Sequence, residues 1–366
     1  MNAALSVKPG QIALIGSGET AANGGRAFDA LAARLPSPLE ISVLETPAGF
    51  ELNSDRVASR VADFMSVRLQ NYRPRISLIP ARRRDAPTSP DNLEILAPLL
   101  HSHLIYLGAG SPSYAVRQLA GSLAWQLVRG RHLMGTALAL ASAATVAFGS
   151  WALPVYEIYK VGEDLHWKRG LDFLGRYGLS LAIVPHWNNT DGGAELDTGC
   201  CFMGRRRLEA LAALLPAEAT ILGIDEHTTL LLDLIAGQGG VLGQSAVHLV
   251  RFGREKSFDS GTSFPLAELG PFQPAPDPWR DVSEPVRLLM ESAWRQQVEL
   301  GKENETPPPE VLALLEARQQ ARARREWSLA DDYRAQIAEL GWQVQDAPTG
   351  TRLEPIRSSS DSCRNS

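Results

Sequence analysis

The residues able to do chemistry gather at the ends of short apolar runs. Pro185-His186-Trp187 closes the run Leu181 to Val184, and a histidine at a strand end can serve as a general base because it titrates near neutrality. Two small-residue turns, Gly16-Ser17-Gly18-Glu19 and Gly108-Ala109-Gly110, follow other apolar runs and can offer backbone N–H groups to a developing negative charge. Ser142 lies among alanines between Ala137 and Phe148, where composition alone reads a small core residue. Asp225, Glu226 and His227 stand side by side within Gly223 to Leu234, but neighbours along a strand point to opposite faces and share one ion poorly, so no metal is expected. Gly243-Gln244-Ser245 reads as structural, within a β segment. Cys200-Cys201 reads as a buried pair; with Cys363 the three cysteines form neither a disulfide framework nor a CxxC metal site.

The elements that must position these groups follow from the patterning. Short apolar runs ending in Gly or Pro alternate with segments of helical period, the signature of βαβ units and a mainly parallel sheet with flanking helices. Strands are expected at 11–15, 41–44, 76–79, 103–107 and 181–184, and helices at 55–69, 114–127 and 206–215. The segments 221–224, 228–234 and 241–251 are expected to form a closing meander. Ligands of open α/β sheets bind at the carboxyl ends of the strands, where these small-residue loops collect.

Composition sets limits. The chain has 366 residues, 44% hydrophobic and 21% charged, with a formal net charge of −5. These values are ordinary for globular proteins and give no general attraction to phosphate backbones. The first ten residues lack a charged-then-apolar leader, and the stretch 137–151 is too short and interrupted to span a bilayer. A cytoplasmic protein without membrane contact is expected.

Four segments carry a family resemblance: IALIGSGE (Ile12 to Glu19), ETPAGFELN (Glu45 to Asn53), IYLGAGSPSYAVRQL (Ile105 to Leu119) and LASAATVAFG (Leu140 to Gly149). Together they resemble the serine peptidases that include dipeptidase E and cyanophycinase, on a class I glutamine amidotransferase-like (flavodoxin-like) α/β fold. The resemblance implies Ser142 as nucleophile, His186 as base and an acid lying between them in sequence: Glu157 is preferred over Glu163 and Asp164. It also implies an oxyanion hole from the N–H groups of Gly110 and Ala143, a cleft lined by Gly16, Gly18 and Glu19, and no cofactor. One departure stands out. A serine elbow normally has tiny residues two before and two after the serine; here they are Leu140 and Ala144, so the elbow is expected to be reshaped or absent.

From Pro265 the composition shifts, and Pro271, Pro274, Pro276 and Pro278 mark a break. The expected division is 1–265 for the peptidase-like domain, 266–308 for a Pro-rich linker with one helix, 309–355 for a helical hairpin and 356–366 for a disordered tail. Leu314 to Pro355 resembles the C-terminal region of cysteinyl-tRNA synthetases through a basic helix, Trp327, Ala330 and Asp331, Leu340-Gly341 and Asp346. Ser328 is expected to cap the second helix. Arg318, Arg322, Arg324 and Arg325 could meet phosphates, but nearby acids offset them, and a protein contact or a homodimer through this hairpin is an open alternative.

Two functions follow as expectations. One is a serine hydrolase cleaving a small peptide or amide through Ser142. The other is a catalytically inactive binding or regulatory protein whose hairpin contacts tRNA or a protein partner.

Overall fold

In a computed structural model, residues 7–275, 277–305, 307–347 and 350–355 are described. Pro276, one of the prolines of the expected break, and the expected tail 356–366 lie outside them. The chain divides into two compact units, residues 1–291 and 292–366.

The first unit contains strands β1 (Ile12–Ile15), β2 (Glu40–Leu44), β3 (Arg75–Ile79), β4 (Leu104–Leu107), β5 (Ala137–Ala141), β6 (Trp151–Ala152) and β7 (Lys168–Arg169). They are followed by β8 (Leu181–Val184), β9 (Thr220–Ile224), β10 (Thr228–Asp233), β11 (Gln238–Gly243), β12 (Ala246–Arg251), β13 (Arg254–Asp259) and β14 (Ser263–Pro265). An eight-stranded sheet runs β14-β11-β10-β1-β5-β4-β2-β3. Its strands β1 to β5 pair in parallel, and β10 joins β1 antiparallel. A second sheet of six strands runs β13-β12-β9-β8-β6-β7. The α/β class with a parallel centre is as the sequence predicts; the second sheet is not.

The expected closing meander is instead divided between the sheets. β9 and β12 pair with each other in the second sheet, while β10 and β11 belong to the first. The segment 241–251 is two strands, interrupted where Gly243 adopts φ 128°, a conformation open to glycine. The expected helix 114–127 is likewise two helices, Pro112–Leu119 and Leu123–Leu133. Ser122 begins the second by accepting a hydrogen bond from the Trp125 N–H at 3.2 Å, the ordinary capping role of serine.

Central strand β5 alternates alanine with leucine. Ala137, Ala139 and Ala141 pack in one cluster with Phe28 of the helix Ala22–Ala32, the helix Ser54–Arg68, and Tyr106 on the neighbouring strand β4. Small residues on the strand leave room for rings on the facing layer, which keeps the core dense without strain.

The first unit extends past the expected boundary at 265. Leu266 and Leu269 are buried, Phe272 stacks on Tyr177, and the Asp281 carboxylate accepts from Arg129 at 2.6 Å and Arg176 at 2.7 Å. Both guanidiniums are buried and also donate to backbone carbonyls, of Leu171 and Pro278. A proline-rich composition therefore marks a strap across the unit rather than a free linker.

In the second unit, helices Pro309–Ala323 and Trp327–Glu339 form a hairpin followed by two paired strands, β15 (Trp342–Ala347) and β16 (Gly350–Pro355). Val311, Ile337, Trp342 and Val344 make its core. Ser328 lies inside the second helix, whose N-cap is Glu326 with no side-chain cap, so the expected capping role is not taken up. Arg318 is buried and forms a bidentate pair with Asp346, joined by Arg322. This pair, with Thr351 third, holds the Asp346 carboxyl well below the usual carboxylate range.

Removing the Asp281 carboxylate leaves two buried cations without their counter-ion. Burial acts to raise the Asp281 pKa, but Arg129 and Arg176 outweigh it and the net direction is down. The contribution is thus complete above the unfolded-state pKa and is lost as pH falls through the folded one. Asp281→Ala is expected to cost roughly 2–3 kcal/mol at pH 7, below the figure for a fully buried pair because the carboxylate is partly exposed. Urea unfolding at pH 7 and in acid checks this: the difference from the parent protein should shrink in acid.

Candidate active site

Ser142 ends β5 and begins the helix Ala143–Phe148, with φ 49° and ψ −112°. A non-glycine residue at positive φ is strained, and such strain collects at functional sites. The turn is tied down on both sides: the Ser142 N–H donates to the Ile15 carbonyl at 3.2 Å, the Ala144 N–H to the Gly108 carbonyl at 3.3 Å, and Thr145 Oγ1 to the Leu140 carbonyl at 2.8 Å. Leu140 does not abolish the tight turn. Its side chain is buried on the sheet face opposite Ala139 and Ala141.

His186 follows β8, also at positive φ (51°), and its Nε2 lies 3.1 Å from Ser142 Oγ. The serine and the histidine thus come from different sheets and meet at strand carboxyl ends. His186 Nδ1 lies 3.0 Å from Glu226 Oε1, on the turn between β9 and β10. A carboxylate only accepts, so this contact puts the ring proton on Nδ1 and leaves Nε2 free to accept from the serine hydroxyl. Glu226 is itself held: the buried Asn189 side chain donates to Oε1 at 3.0 Å, and the Glu226 N–H donates to Asn188 Oδ1 at 2.8 Å.

Glu157, the acid expected behind the histidine, is elsewhere. It begins the helical turn Glu157–Val161 and pairs with Lys168 at 2.7 Å. Burial acts to raise its pKa, but the Lys168 ammonium outweighs it and lowers it overall. Glu226 follows His186 in the chain, outside the interval between serine and histidine in which the acid is expected. The side chains of Asp225, Glu226 and His227 diverge. Asp225 accepts from Ser245 Oγ at 2.5 Å and contacts His248 at 3.2 Å, Glu226 meets His186, and the His227 ring lies against Gly18. No cluster of metal-ligating side chains is found among the described residues. Ser245 is committed to Asp225.

A cavity of about 330 Å³ opens at Ser142 and His186, lined also by Gly110, Pro112, Ala143, Val146, Val155, Tyr156, Tyr159, Lys160, Pro185, Cys201 and Phe202. Gly110 (φ 143°) crosses Pro47 so closely that a Cβ would stand 2.0 Å from its carbonyl oxygen. Ala143 opens a helix, so its N–H has no intrahelical acceptor. Both border the cavity. Gly16, Gly18 and Glu19 do not line it. The 16–18 loop instead braces the turn bearing Glu226, through the Gly16 N–H to the Thr228 carbonyl (2.9 Å) and Ser17 to His227. Glu19 borders a separate small cavity with Glu45 and Tyr106. Burial pushes the thiol pKa of Cys200 up to about 11 and that of Cys201 up to about 12, so neither is a thiolate at neutral pH.

Comparison with known proteins gives two separate likenesses. Residues 306–352 match the family model of the cysteinyl-tRNA ligase anticodon binding domain. The chain is 37% identical over 49 residues to the cysteine–tRNA ligase of Chlamydia felis (strain Fe/C-56), covering 13% of this chain and 10% of that one. It is 46% identical over 46 residues to cysteine–tRNA ligase 1 of Burkholderia lata, with the same two coverages of 13% and 10%. The chain thus spans about a tenth of the length of these curated relatives. Among solved structures, a peptidase from an acI-B1 Actinobacterium aligns with TM-score 0.56 at 19% identity, over 71% of this chain and 98% of that one. A peptidase E candidate from Listeria monocytogenes EGD-e aligns with TM-score 0.42 at 14% identity, over 66% and 98%. This chain therefore joins an α/β fold shared with a solved peptidase to a C-terminal segment that matches the anticodon-binding domain of cysteinyl-tRNA ligases.

Proposed function

We propose that the first unit is a serine hydrolase that cleaves a peptide or amide bond of a small substrate through Ser142, His186 and Glu226. The observation that carries this reading is the continuous chain of contacts from Ser142 Oγ to His186 Nε2 and from His186 Nδ1 to Glu226, starting at a strained serine. In this mechanism the serine oxygen attacks the substrate carbonyl while Nε2 takes its proton, and Glu226 stabilises the imidazolium that forms. The Ala143 and Gly110 N–H groups receive the oxyanion. Collapse of the tetrahedral intermediate breaks the C–N bond, and the imidazolium gives its proton to the leaving amine. Water, deprotonated by the same imidazole, then releases the acyl group and restores the serine.

A fluorophosphonate probe should label Ser142, and Ser142→Ala should abolish labelling. Glu226→Gln is expected to lower kcat about 10²- to 10⁴-fold by removing the group that fixes the imidazole tautomer. Glu157→Gln should leave kcat near the parent value. Absence of labelling in folded protein would instead favour an inactive scaffold that binds without turnover.

The match of residues 306–352 favours a second reading for the C-terminal unit, contact with tRNA. Arg318 and Arg322 are engaged with Asp346, which leaves the exposed Arg324 and Arg325, beside an exposed Trp327, to meet phosphate and stack on a base. Filter binding of bulk tRNA across a salt series checks this. Replacing both arginines by alanine should flatten the slope of log K against log salt by about 2.

A further inference from the structure

The cavity at Ser142 is walled mostly by apolar and aromatic side chains. Val146, Val155, Pro112 and Pro185 are buried and apolar, and Phe202 and Tyr159 close the pocket with rings whose centroids lie 5.4 Å apart. Phe202 is held at φ 66°, third in a left-handed run after Cys200 and Cys201, with its N–H bonded to the Thr198 carbonyl at 3.0 Å. That run turns its ring toward the imidazole, 6.3 Å between ring centroids. The Cys201 thiol stays protonated and adds no charge. Among the described residues on the wall, Lys160 carries the ammonium group, and it is exposed, its ammonium resting over the Tyr159 ring at 5.1 Å.

From this wall we infer that the substrates are peptides or amides presenting an apolar or aromatic side chain next to the scissile carbonyl, with Phe202 the residue that sets this preference. The inference rests on the hydrolase reading and adds the substrate class to it. A cavity of roughly 150 Å³ already holds a benzene ring, so about 330 Å³ accepts a phenylalanine or leucine side chain together with the reacting carbonyl. A carboxylate or guanidinium there would lose its water shell with no buried partner to replace it.

The test compares aminoacyl-7-amido-4-methylcoumarins of phenylalanine, leucine, aspartate and arginine. Phenylalanine and leucine are expected to exceed aspartate and arginine at least about 100-fold in kcat/KM. Phe202→Ala should shrink the phenylalanine-to-aspartate ratio about tenfold, chiefly through KM, and Phe202→Leu should restore most of it. Lys160→Gln should leave the order unchanged. Equal rates across the series overturn the inference, as does a preference for aspartate that Lys160→Gln removes, since the lysine would then be the recognising group. A second arm needs no turnover: on Ser142→Ala protein, N-acetyl-phenylalanine amide should bind at least tenfold more tightly than N-acetyl-aspartic acid amide, read by ligand-observed NMR. Equal or reversed affinities, or no binding of either, overturn the proposal there. Failure of fluorophosphonate labelling alone strikes the catalytic reading and leaves this arm standing.

Discussion

The backbone of Ser142 is the constraint on which the site depends. Its torsions are unfavourable for any residue with a Cβ and cost of the order of 1–3 kcal/mol, so neighbouring structure must hold them. That structure is the sheet centre: β5 is paired in parallel on both sides, to β1 and β4, and the turn after it is bonded to the ends of both neighbours, at Ile15 and Gly108. A chain fixed at three points cannot relax the serine without breaking strand pairing. At these torsions the hydroxyl meets the His186 imidazole at 3.1 Å instead of the alanine-lined core face.

The second sheet supplies what the first cannot. The strand β8, paired in parallel with β9, ends at His186 and so brings its imidazole beside the serine hydroxyl. Glu226 then sits where the chain leaves β9 for β10, and so passes from one sheet to the other. The connection that divides strands 220–251 between sheets is thus also what sets the carboxylate behind the imidazole. The 16–18 loop and the Asn188-Asn189 pair grip this turn from two directions. Positive φ at His186, Cys201 and Phe202 places further left-handed residues beside the serine on the wall of one cavity.

The parts legible in the sequence were those written in local pattern. Parallel strands β1 to β5 and β8 show as apolar runs ending in small residues, and His186 shows as a polar residue closing one of them. Ser142 could be singled out only by resemblance, because a serine among alanines carries no local signal. Glu226 was hidden for a different reason. Its partner is 40 residues away and on another strand end, and nothing in the spacing Asp225-Glu226-His227 tells which of three adjacent polar residues turns inward. The proline-rich stretch after 265 misled because proline marks extended backbone, and an extended strap pinned by Asp281 has the same composition as a free linker.

Leu140 shows how a broken local rule can be satisfied at another position. Glycines on both sides of an elbow serine are needed because strand and helix press together around it. In a strand the residue two before the serine keeps to one face, and here that face receives a leucine while Ala139 and Ala141 keep the other face small. The close approach is made on the helical side instead, where Ala143, Ala144 and Ala147 are all buried and none extends beyond Cβ. What the turn requires is a total volume rather than glycine at a given place, and cores that conserve volume tolerate such exchanges. The departure from the two-glycine pattern thus changes how the serine is packed while its backbone torsions remain strained.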